Sequence, residues 1–584
     1  MAYQGPDAHL FRVTVIPTSG LLQSPTMSPI SRLTRELLLI IFTMIANMYD
    51  DWFILPIGDT RFRALTVVRR TTQVCSLWRK LILDNSRIWG RIIDVNLLLG
   101  PKTEYWRNEV LQRTRTAPLF IRGIVSSPYG EEEKKKFDKD VQKFFTKLFN
   151  FTNWERTEVL DLAVDNTAWF SEKTLEYIQR PHRRLRIFRL NILEDPPAGR
   201  TSLDPPNMIA FTKKAPRLVQ LECMDVAINL QAHWFSNLRH FSLSYKNKSS
   251  HSHPFTLPDI LNTLEQMPHL EGLNLRWASK YPTKVDMANI QPKLLPNLKK
   301  LGIEDDFSTC IAFLAKIKPP RECHFTLTTN DLTYSTDPRF VTGARTVIAH
   351  YAQNFFSANA ISRIRLNLDD SGFIISTMDP RPASFESDRC FRIECALSNP
   401  PQEVSPLLKF FAETLSPTLS SSRITRLLLD SGGGGRVVSI EGLARFLGSL
   451  GSLQVLETTA EVVNRYLCPF FSKLVEGTKK NGRLPPPLCP NLRMVSILSF
   501  NLYGTPNRDA PAPNSAMRLL WLFKFREQLG LPIPLLDLTL CRSRLCPLEC
   551  LEEVKGLSII WRGPGGAQKV YVCGSGTANE TVVI

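Results

Sequence analysis

The first apolar pattern in the chain predicts a small group of helices over residues 30–100. Four apolar side chains, spaced by four, four and three residues, fall on one face of a first helix: Leu33, Leu37, Ile41 and Met44. Thr34 is the predicted N-cap of this helix. Glu36 lies in its first turn, where a carboxylate interacts favourably with the helix dipole.

A second helix is predicted from about Thr72, with an apolar stripe that consists of Val74, Leu77, Trp78, Leu81 and Ile82. A third short element follows, with Ile88, Trp89, Ile92 and Ile93. Residues 46–70, between the first two helices, contain Asp, Pro and Gly in positions that predict an inserted loop.

From about residue 150 the pattern changes to a recurring unit, an apolar helical run followed by a strand of the form L-x-x-L-x-L. A Pro-x-Leu sequence precedes the strand at 216–218, 268–270, 296–298 and 490–492. Successive units begin at irregular intervals of 20 to 39 residues, which bracket the period of leucine-rich repeats. One unit cannot bury its own apolar face, so units are expected to stack into a solenoid. A plain α/β domain with parallel strands shows a similar alternation, but the repeated Pro-x-Leu favours the solenoid.

The apolar anchors of the predicted strands are expected to form the core of this array. They are Leu160, Leu162, Leu185, Phe188, Leu190, Leu218, Leu221, Leu238, Phe241, Leu243, Leu270, Leu273, Leu275, Leu298, Leu301, Ile303, Ile364, Leu366, Leu368, Ile424, Leu427, Leu429, Leu453, Leu456, Leu492, Val495 and Ile497. Between 319 and 420 the motif is incomplete. Strands over 324–329, 361–368 and 391–397 and a helix over 341–356 nevertheless predict that the array continues there.

Composition places the chain among folded proteins. Its 584 residues, 43% of them apolar, imply several domains or one long repeat array with a small domain attached. The most apolar early segment, residues 37–45, is shorter than the roughly 20 residues that cross a bilayer, and the first residues lack a signal-peptide pattern. Twelve scattered cysteines then predict reduced thiols and a location in the cytosol or nucleus.

The net charge of +17 is diffuse, and its densest block is residues 180–189 with five arginines. A basic, nucleic-acid-binding solenoid is therefore one alternative, and a steep fall of affinity with salt would mark it. Arg184, Arg186 and Arg189 flank the strand anchored by Leu185 and are expected to project from the concave surface of the array. There they would favour a substrate with an acidic patch.

The sequence contains no motif with the spacing of a catalytic or metal-binding site. Cys541, Cys546 and Cys550 are spaced by five and four residues and lack a fourth ligand, which does not fit a zinc site. The glycine-rich residues 431–436 lack the lysine and hydroxyl residue of a phosphate-binding loop. We therefore expect a non-catalytic chain without a metal or cofactor.

Residues 30–93 resemble an F-box. The first half of that motif corresponds to Ile30, Leu33, Thr34, Glu36, Leu37, Leu38, Ile41 and Phe42, the second half to Val74, Cys75, Trp78 and Arg79, and the closing tryptophan to Trp89. The whole chain looks like the F-box proteins abundant in mushroom-forming fungi (basidiomycetes), in which a degenerate leucine-rich array follows. Two features depart from the family: Thr34 stands where the family has proline, and the loop between the helices is longer than usual.

The resemblance implies a receptor function. An F-box docks onto the Skp adaptor of an SCF-type cullin–RING ubiquitin ligase, and the repeats that follow bind a protein substrate. The residues implied to contact the adaptor are Ile30, Leu33, Glu36, Leu37, Ile41, Phe42, Val74, Cys75, Trp78 and Trp89. A scaffold with a drifted F-box, which binds partners without recruiting a ligase, is a further function that the sequence leaves open.

Fold class and domain organisation follow from these patterns. We expect an α/β chain in which a small three-helix F-box precedes an irregular, leucine-rich-repeat-like β-α solenoid. The predicted divisions are a flexible N-terminal segment (1–29), the F-box (30–100), a linker with the first helices of the array (101–150) and the substrate-binding repeats (151–584).

Overall fold

The computed structural model describes residues 29–47, 63–100, 104–128, 130–165, 169–170, 172–193, 215–226, 228–245, 255–278, 291–330, 337–369, 372–378, 390–396, 406–431, 440–468, 489–499, 515–541, 549–563 and 566–575. The chain divides into two compact units, Met1–Pro118 and Leu119–Ile584. The second unit therefore begins within the segment predicted to be a linker, 32 residues before the predicted start of the array.

The described part of the first unit is a group of short helices. After a 3₁₀ turn at Pro29–Arg32, its elements are α1 (Arg35–Ile45), α2 (Ala64–Thr71), α3 (Ser76–Asp84), α4 (Ser86–Arg91), β1 (Ile93–Asp94), α5 (Val95–Leu99) and α6 (Glu104–Arg113). Helices α1, α3 and α4 confirm the predicted elements. Of the predicted loop at 46–70, residues 48–62 lie outside the described residues. The prediction was wrong for α2, in which Ala64, Leu65 and Val68 form a buried face.

The second unit is mixed α/β. Its strands are β2 (Leu119–Val125), β3 (Thr157–Val164), β4 (Ile187–Ile192), β5 (Gln220–Met224), β6 (His240–Ser244), β7 (Gly272–Arg276), β8 (Lys293–Leu294), β9 (Lys300–Asp306), β10 (Ile317–Lys318), β11 (His324–Asn330), β12 (Arg363–Asp369), β13 (Gly372–Thr377), β14 (Phe391–Ala396), β15 (Arg426–Ser431), β16 (Val455–Thr458), β17 (Met494–Ile497), β18 (Leu535–Asp537), β19 (Ser558–Arg562) and β20 (Gln568–Val572). Its helices are α7 (Glu131–Leu148), α8 (Phe151–Glu155), α9 (Glu172–Gln179), α10 (Leu257–Leu264), α11 (Phe307–Leu314), α12 (Pro338–Ala358), α13 (Pro406–Ser421), α14 (Ile440–Gly448), α15 (Ala460–Val462) and α16 (Ser515–Gln528).

Apart from the β8–β10 pair, the strands of this unit form one large, mostly parallel sheet. Its spatial order is β2-β3-β4-β5-β6-β7-β9-β11-β14-β13-β12-β15-β16-β17-β18-β19-β20. Strands β13 and β20 are antiparallel to their neighbours. Chain order and spatial order are reversed across the β12–β13–β14 meander, because β14 pairs with β11 and β12 pairs with β15.

The L-x-x-L-x-L strands pair in a register that places their apolar anchors side by side. Leu160, Phe188, Leu221 and Phe241 occupy successive partner positions across β3 to β6. Each of these side chains is at most 1% exposed. Since the described anchors of the other predicted strands are buried as well, the predicted core positions are confirmed.

A recurring hydrogen-bond pattern joins each unit of the sheet to the one before it. The N–H of Leu298 closes a turn on the carbonyl of Leu295 at 3.1 Å, and the next two N–H groups, of Lys299 and Lys300, both donate to the carbonyl of Glu271. The same convergence on one carbonyl recurs at Val219 and Gln220, Arg239 and His240, Glu271 and Gly272, Gln454 and Val455, and Arg493 and Met494.

An asparagine in the turn before a strand adds a side-chain bond to this junction. The Nδ2 of Asn297 donates to the carbonyl of Pro268 at 2.9 Å. Asn237 makes the equivalent bond to Pro216 at 2.9 Å, and Asn491 to Gly451 at 2.8 Å. Each acceptor is the second residue of the same turn in the preceding unit, so the asparagine helps to set the offset between neighbouring units.

The Asn297 bond can be tested by mutation. We expect Asn297→Ala to lower the free energy of unfolding by about 0.5–1.5 kcal/mol, the net contribution of one hydrogen bond, as measured by urea denaturation. Arg217 occupies the same position of an earlier turn and is exposed, so Arg217→Ala is the matched control and should leave stability unchanged. Equal losses in the two variants would contradict this role of the asparagine.

Candidate protein-docking surface

Helix α1 has apolar side chains on more than one face, and the structure buries the face that the sequence pattern did not select. Leu38 and Phe42 are 2% and 1% exposed, whereas Leu37, Ile41 and Met44 are 47%, 39% and 71% exposed. A helix of this composition satisfies an i, i+4 apolar pattern on two sides, so the pattern alone cannot say which side packs inward.

Neighbouring segments of the first unit also expose apolar side chains, at Ile30, Val74 and Leu77. We use the name exposed apolar surface for the seven exposed apolar residues Ile30, Leu37, Ile40, Ile41, Met44, Val74 and Leu77. Single exposed apolar residues are ordinary, but such a concentration in one small unit is typical of an interaction site.

Helices α1 and α3, which carry most of this surface, pack directly against each other. The ring of Phe42 meets that of Trp78 edge-on, with centroids 5.2 Å apart. An open cleft of about 480 Å³ lies between the two helices and the start of α4. Its apolar lining comes from Leu39, Leu77 and Leu81, and its charged lining from Arg35, Lys80, Asp84 and Arg87.

The residues that resemble an F-box divide into three groups by exposure. Ile30, Glu36, Leu37, Ile41, Val74 and Cys75 are exposed, Leu33 and Trp78 are half-buried, and Phe42 and Trp89 are buried. The adaptor-contact role expected for Phe42 and Trp89 is therefore corrected: both are core residues. The Nε1 of Trp89 donates to the carbonyl of Ile82 at 2.9 Å, and its ring is covered by the Arg113 guanidinium at 5.0 Å.

The polar residues of the motif cap the helices. Thr34 is the N-cap of α1, as predicted, and its hydroxyl accepts from the N–H of Leu37 at 3.4 Å. Cys75 is the N-cap of α3, where its sulfur accepts from the N–H of Trp78 at 3.5 Å. Hydrogen bonds from its own backbone N–H and from the Thr34 hydroxyl lower the pKa of Glu36, which favours its ionised form at the positive end of α1.

Basic residues predominate around the exposed apolar surface. Within 29–47 and 63–100 there are nine Lys and Arg residues and three carboxylates, Glu36, Asp84 and Asp94. Asp94 is buried, is bound by Arg63 at 3.2 Å, and caps α5 through the N–H of Leu97. Burial raises the pKa of Asp94 in spite of the Arg63 guanidinium. A partner with an apolar, acidic surface would complement this unit best.

Three residues of the surface were not among the predicted contact residues: Ile40, Met44 and Leu77. Sequence periodicity assigns Met44 and Leu77 to apolar stripes but does not identify them as contact residues. The signal that could have identified them is the excess of apolar residues over what one face of an eleven-residue helix can bury.

In the second unit, Arg189 is not available to an acidic substrate. Its guanidinium lies 3.1 Å from the carboxylate of Asp161 and 3.3 Å from that of Glu222, in partner positions on the adjacent strands. Burial raises the pKa of Glu222, and the Arg189 charge opposes this effect. The substrate-binding role expected for Arg189 is therefore corrected, while Arg184 and Arg186 are exposed just before β4.

His182 orders the backbone at the entry to β4. Its Nδ1 accepts from the N–H groups of Arg184 (3.2 Å) and Leu185 (3.0 Å), so its Nε2 carries the proton and donates to the carbonyl of Trp154. The ring is 1% exposed and meets the Trp154 ring edge-on at 4.9 Å. Burial lowers the pKa of His182, because protonation would place a charge in the core and a proton on an atom that accepts two bonds.

Protonation of His182 should destabilise the second unit. Because the folded pKa is depressed, the stabilisation is complete above the unfolded value of about 6.5 and is lost as pH falls through the folded value. We expect a lower unfolding temperature at pH 5.5 than at pH 7.5. The difference should be smaller in His182→Asn, which keeps an acceptor but does not titrate. His240, whose pKa burial also lowers, leaves a residual difference. An undiminished difference in the variant would contradict the assignment.

The two faces of α1 should respond differently to mutation. We expect Phe42→Ala to destabilise the first unit by about 3–5 kcal/mol, the cost of a core cavity. Met44→Ala, its matched control on the exposed side, should change stability by less than about 0.5 kcal/mol. Native-state hydrogen exchange of α1 and α3 measures both values, and similar losses in the two variants would contradict the assignment of the faces.

No family model and no curated protein matches this chain. In the part of the chain that the structure describes, no group of three or more His, Cys, Asp or Glu side chains could hold a metal ion. None of the helices in those same ranges has the length and apolarity needed to cross a bilayer. The fold itself is mixed α/β with a large, mostly parallel sheet.

Proposed function

We propose that this chain is the substrate-recognition subunit of an SCF-type cullin–RING ubiquitin ligase. In this proposal residues 30–93 are an F-box that binds the Skp adaptor, and the second unit is an irregular leucine-rich-repeat-like array that binds a protein substrate. The observation that carries the proposal is the exposure of four F-box-like apolar residues on a unit whose core is filled by other side chains: Ile30, Leu37, Ile41 and Val74.

An exposed apolar side chain contributes to the free energy of binding when a partner buries it. Burying a Leu, Ile or Val fully contributes about 1.5–3 kcal/mol, so a partner that covers the seven residues of the exposed apolar surface gains a large driving force. The first unit already has a core built on Leu38, Phe42, Ile82 and Trp89. The exposed side is therefore surplus to folding, which supports a role in binding.

The N-cap of α1 supports the comparison with an F-box, even though the capping residue, Thr34, is the one that departs from the family. Thr34 replaces the family's proline and begins the helix through a side-chain hydrogen bond. The helix start is thus retained without the proline, while any contact that the proline ring makes with the adaptor is lost. That loss favours the second candidate function, a scaffold whose F-box has drifted and that binds partners without a ligase.

In the proposed complex the chain needs no catalytic residue of its own. A receptor raises the rate of ubiquitin transfer by holding a substrate lysine close to the charged conjugating enzyme, which makes the transfer effectively intramolecular. Substrate choice would then depend on the second unit, and recruitment to the ligase on the first.

Co-expression with the Skp adaptor tests the proposal. We expect a stable one-to-one complex for the wild type and at least a tenfold lower yield of complex for Leu37→Asp with Val74→Asp. Leu540 is a matched control, since it is 50% exposed in the second unit, and Leu540→Asp should retain the complex. Because Leu37 and Val74 are exposed, the double variant should unfold at the wild-type temperature.

Two results would contradict the proposal. The first is a well-folded wild-type chain that forms no complex with the adaptor, which would favour the scaffold. The second is a complex that the double variant retains in full, which would place the adaptor contact elsewhere.

A further inference from the structure

On the side of the sheet opposite the buried anchors, the side chains are polar in the first strands and include more apolar residues in the last ones. From β2 to β7 it carries polar side chains in successive partner positions: Arg122, Asp161, Arg189, Glu222, Ser242 and Asn274. From β16 to β20 the same side carries six apolar residues next to the polar Glu457, Ser496, Asp537 and Ser558. We name these six the apolar stripe: Val455, Met494, Leu535, Ile560, Val570 and Val572.

The register of the last strands holds the stripe together. Val455, Met494 and Leu535 occupy successive partner positions, and the row continues through Ser558 to Val572. Ile560 pairs with Val570 in the next row. Val570 and Val572 are 58% and 43% exposed, and the other four members are half-buried. Apolar side chains that stay exposed or half-buried on this side suit an interaction site.

A positive charge lies at the β15 end of the stripe. Arg426 is the partner position of Val455, and Arg363 is that of Arg426. Both guanidiniums bind a single carboxylate, that of Glu457, which is 3% exposed and lies 3.4 Å from Arg426. One carboxylate between two guanidiniums leaves one unit of positive charge, and the Arg426 side chain is 47% exposed.

Within the described residues of the neighbouring strands, the other charged groups on this side are Arg365, Asp430, Asp537 and, beside Ile560 at the far end of the stripe, the exposed Arg562. Arg365 and Asp430 pair with each other at 3.2 Å. Asp537 lies on the same side as the stripe, in the partner position of Ile560, and accepts from the N–H of Thr539 at 2.8 Å. An acidic ligand group is therefore favoured over Arg426 and disfavoured beside Asp537.

We propose that the apolar stripe binds an extended segment of a protein partner, with apolar side chains along its length and a carboxylate at the Arg426 end. Five strand spacings of about 4.8 Å separate Arg426 from Val572, or roughly 24 Å. An extended segment of about seven or eight residues spans that distance. The identification of this partner as a ligase substrate rests on the proposed function, whereas the binding itself does not.

Selection from a peptide library tests the proposal. A phage-displayed library of random octapeptides is panned against the full chain, and the selected peptides are synthesised and measured by fluorescence anisotropy. We expect them to share an Asp or Glu near one end and apolar residues over the remainder. Arg426→Glu and Val570→Asp should each weaken binding at least tenfold.

Two further variants separate loss of binding from loss of folding. Leu294 is 73% exposed in β8, away from the stripe, so Leu294→Asp should bind the peptides as the wild type does. Val570→Thr keeps the β-branched shape of the edge strand and should weaken binding less than Val570→Asp. Val570→Asp, Val570→Thr and Leu294→Asp should retain the wild-type unfolding temperature, whereas Arg426→Glu, which places a second carboxylate beside the buried Glu457, should lower it. All variants should retain the adaptor if the proposed function holds.

Three results would overturn the proposal. They are selected peptides without a shared acidic position, affinities that Arg426→Glu and Val570→Asp leave unchanged, and enrichment no greater on the wild type than on these two variants. A chain that fails to bind the adaptor but selects acidic, apolar peptides would contradict the proposed function alone.

Discussion

The structure of the second unit depends on the alignment of buried aliphatic side chains from strand to strand. Leu190, Leu243, Leu275 and Ile303 lie in one row because each strand starts at the same offset from the one before. That offset is fixed locally, by two consecutive N–H groups that share one carbonyl and by the turn that precedes them. A slip of one residue would turn every anchor to the opposite side of the sheet.

The same alignment of the strands determines which side chains are left to bind a partner. Once alternate residues of each strand are buried, the intervening residues must lie in rows on the other side, where they do not contribute to the core. From β2 to β5 one such row balances two guanidiniums against two carboxylates, through ion pairs that join Arg122, Asp161, Arg189 and Glu222. In β16 to β20 these rows include the apolar stripe. The first unit follows the same logic on a smaller scale, since α1 buries one apolar face and leaves the other exposed.

Much of the fold could be predicted from the sequence because the strand signal is local. The L-x-x-L-x-L strands were found wherever the motif is complete, and α12 was found within a few residues of its bounds. Strand β13 was missed because its sequence, GFIIST, lacks the L-x-x-L-x-L motif. It returns from β12 as a hairpin and lies antiparallel between β12 and β14, where a Cβ at Gly372 would stand 1.9 Å from the carbonyl oxygen of Cys395. The site was predicted only in part. The exposed side of α1 could not be predicted, because it depends on which neighbouring segments cover the helix. The pairing of Arg189 could not be predicted either, because Asp161 and Glu222 lie on other strands that are distant in sequence.

The central claim, that the exposed apolar surface binds the adaptor, is tested most directly by a cysteine that already lies beside it. Cys75 is exposed next to Val74, whereas Cys541 is half-buried in the second unit. Alkylation of both thiols by N-ethylmaleimide, followed by mass spectrometry, compares the chain alone with the chain in the presence of the Skp adaptor. We expect the adaptor to slow the reaction of Cys75 at least tenfold and to leave that of Cys541 unchanged. An unchanged rate at Cys75 under saturating adaptor would contradict it.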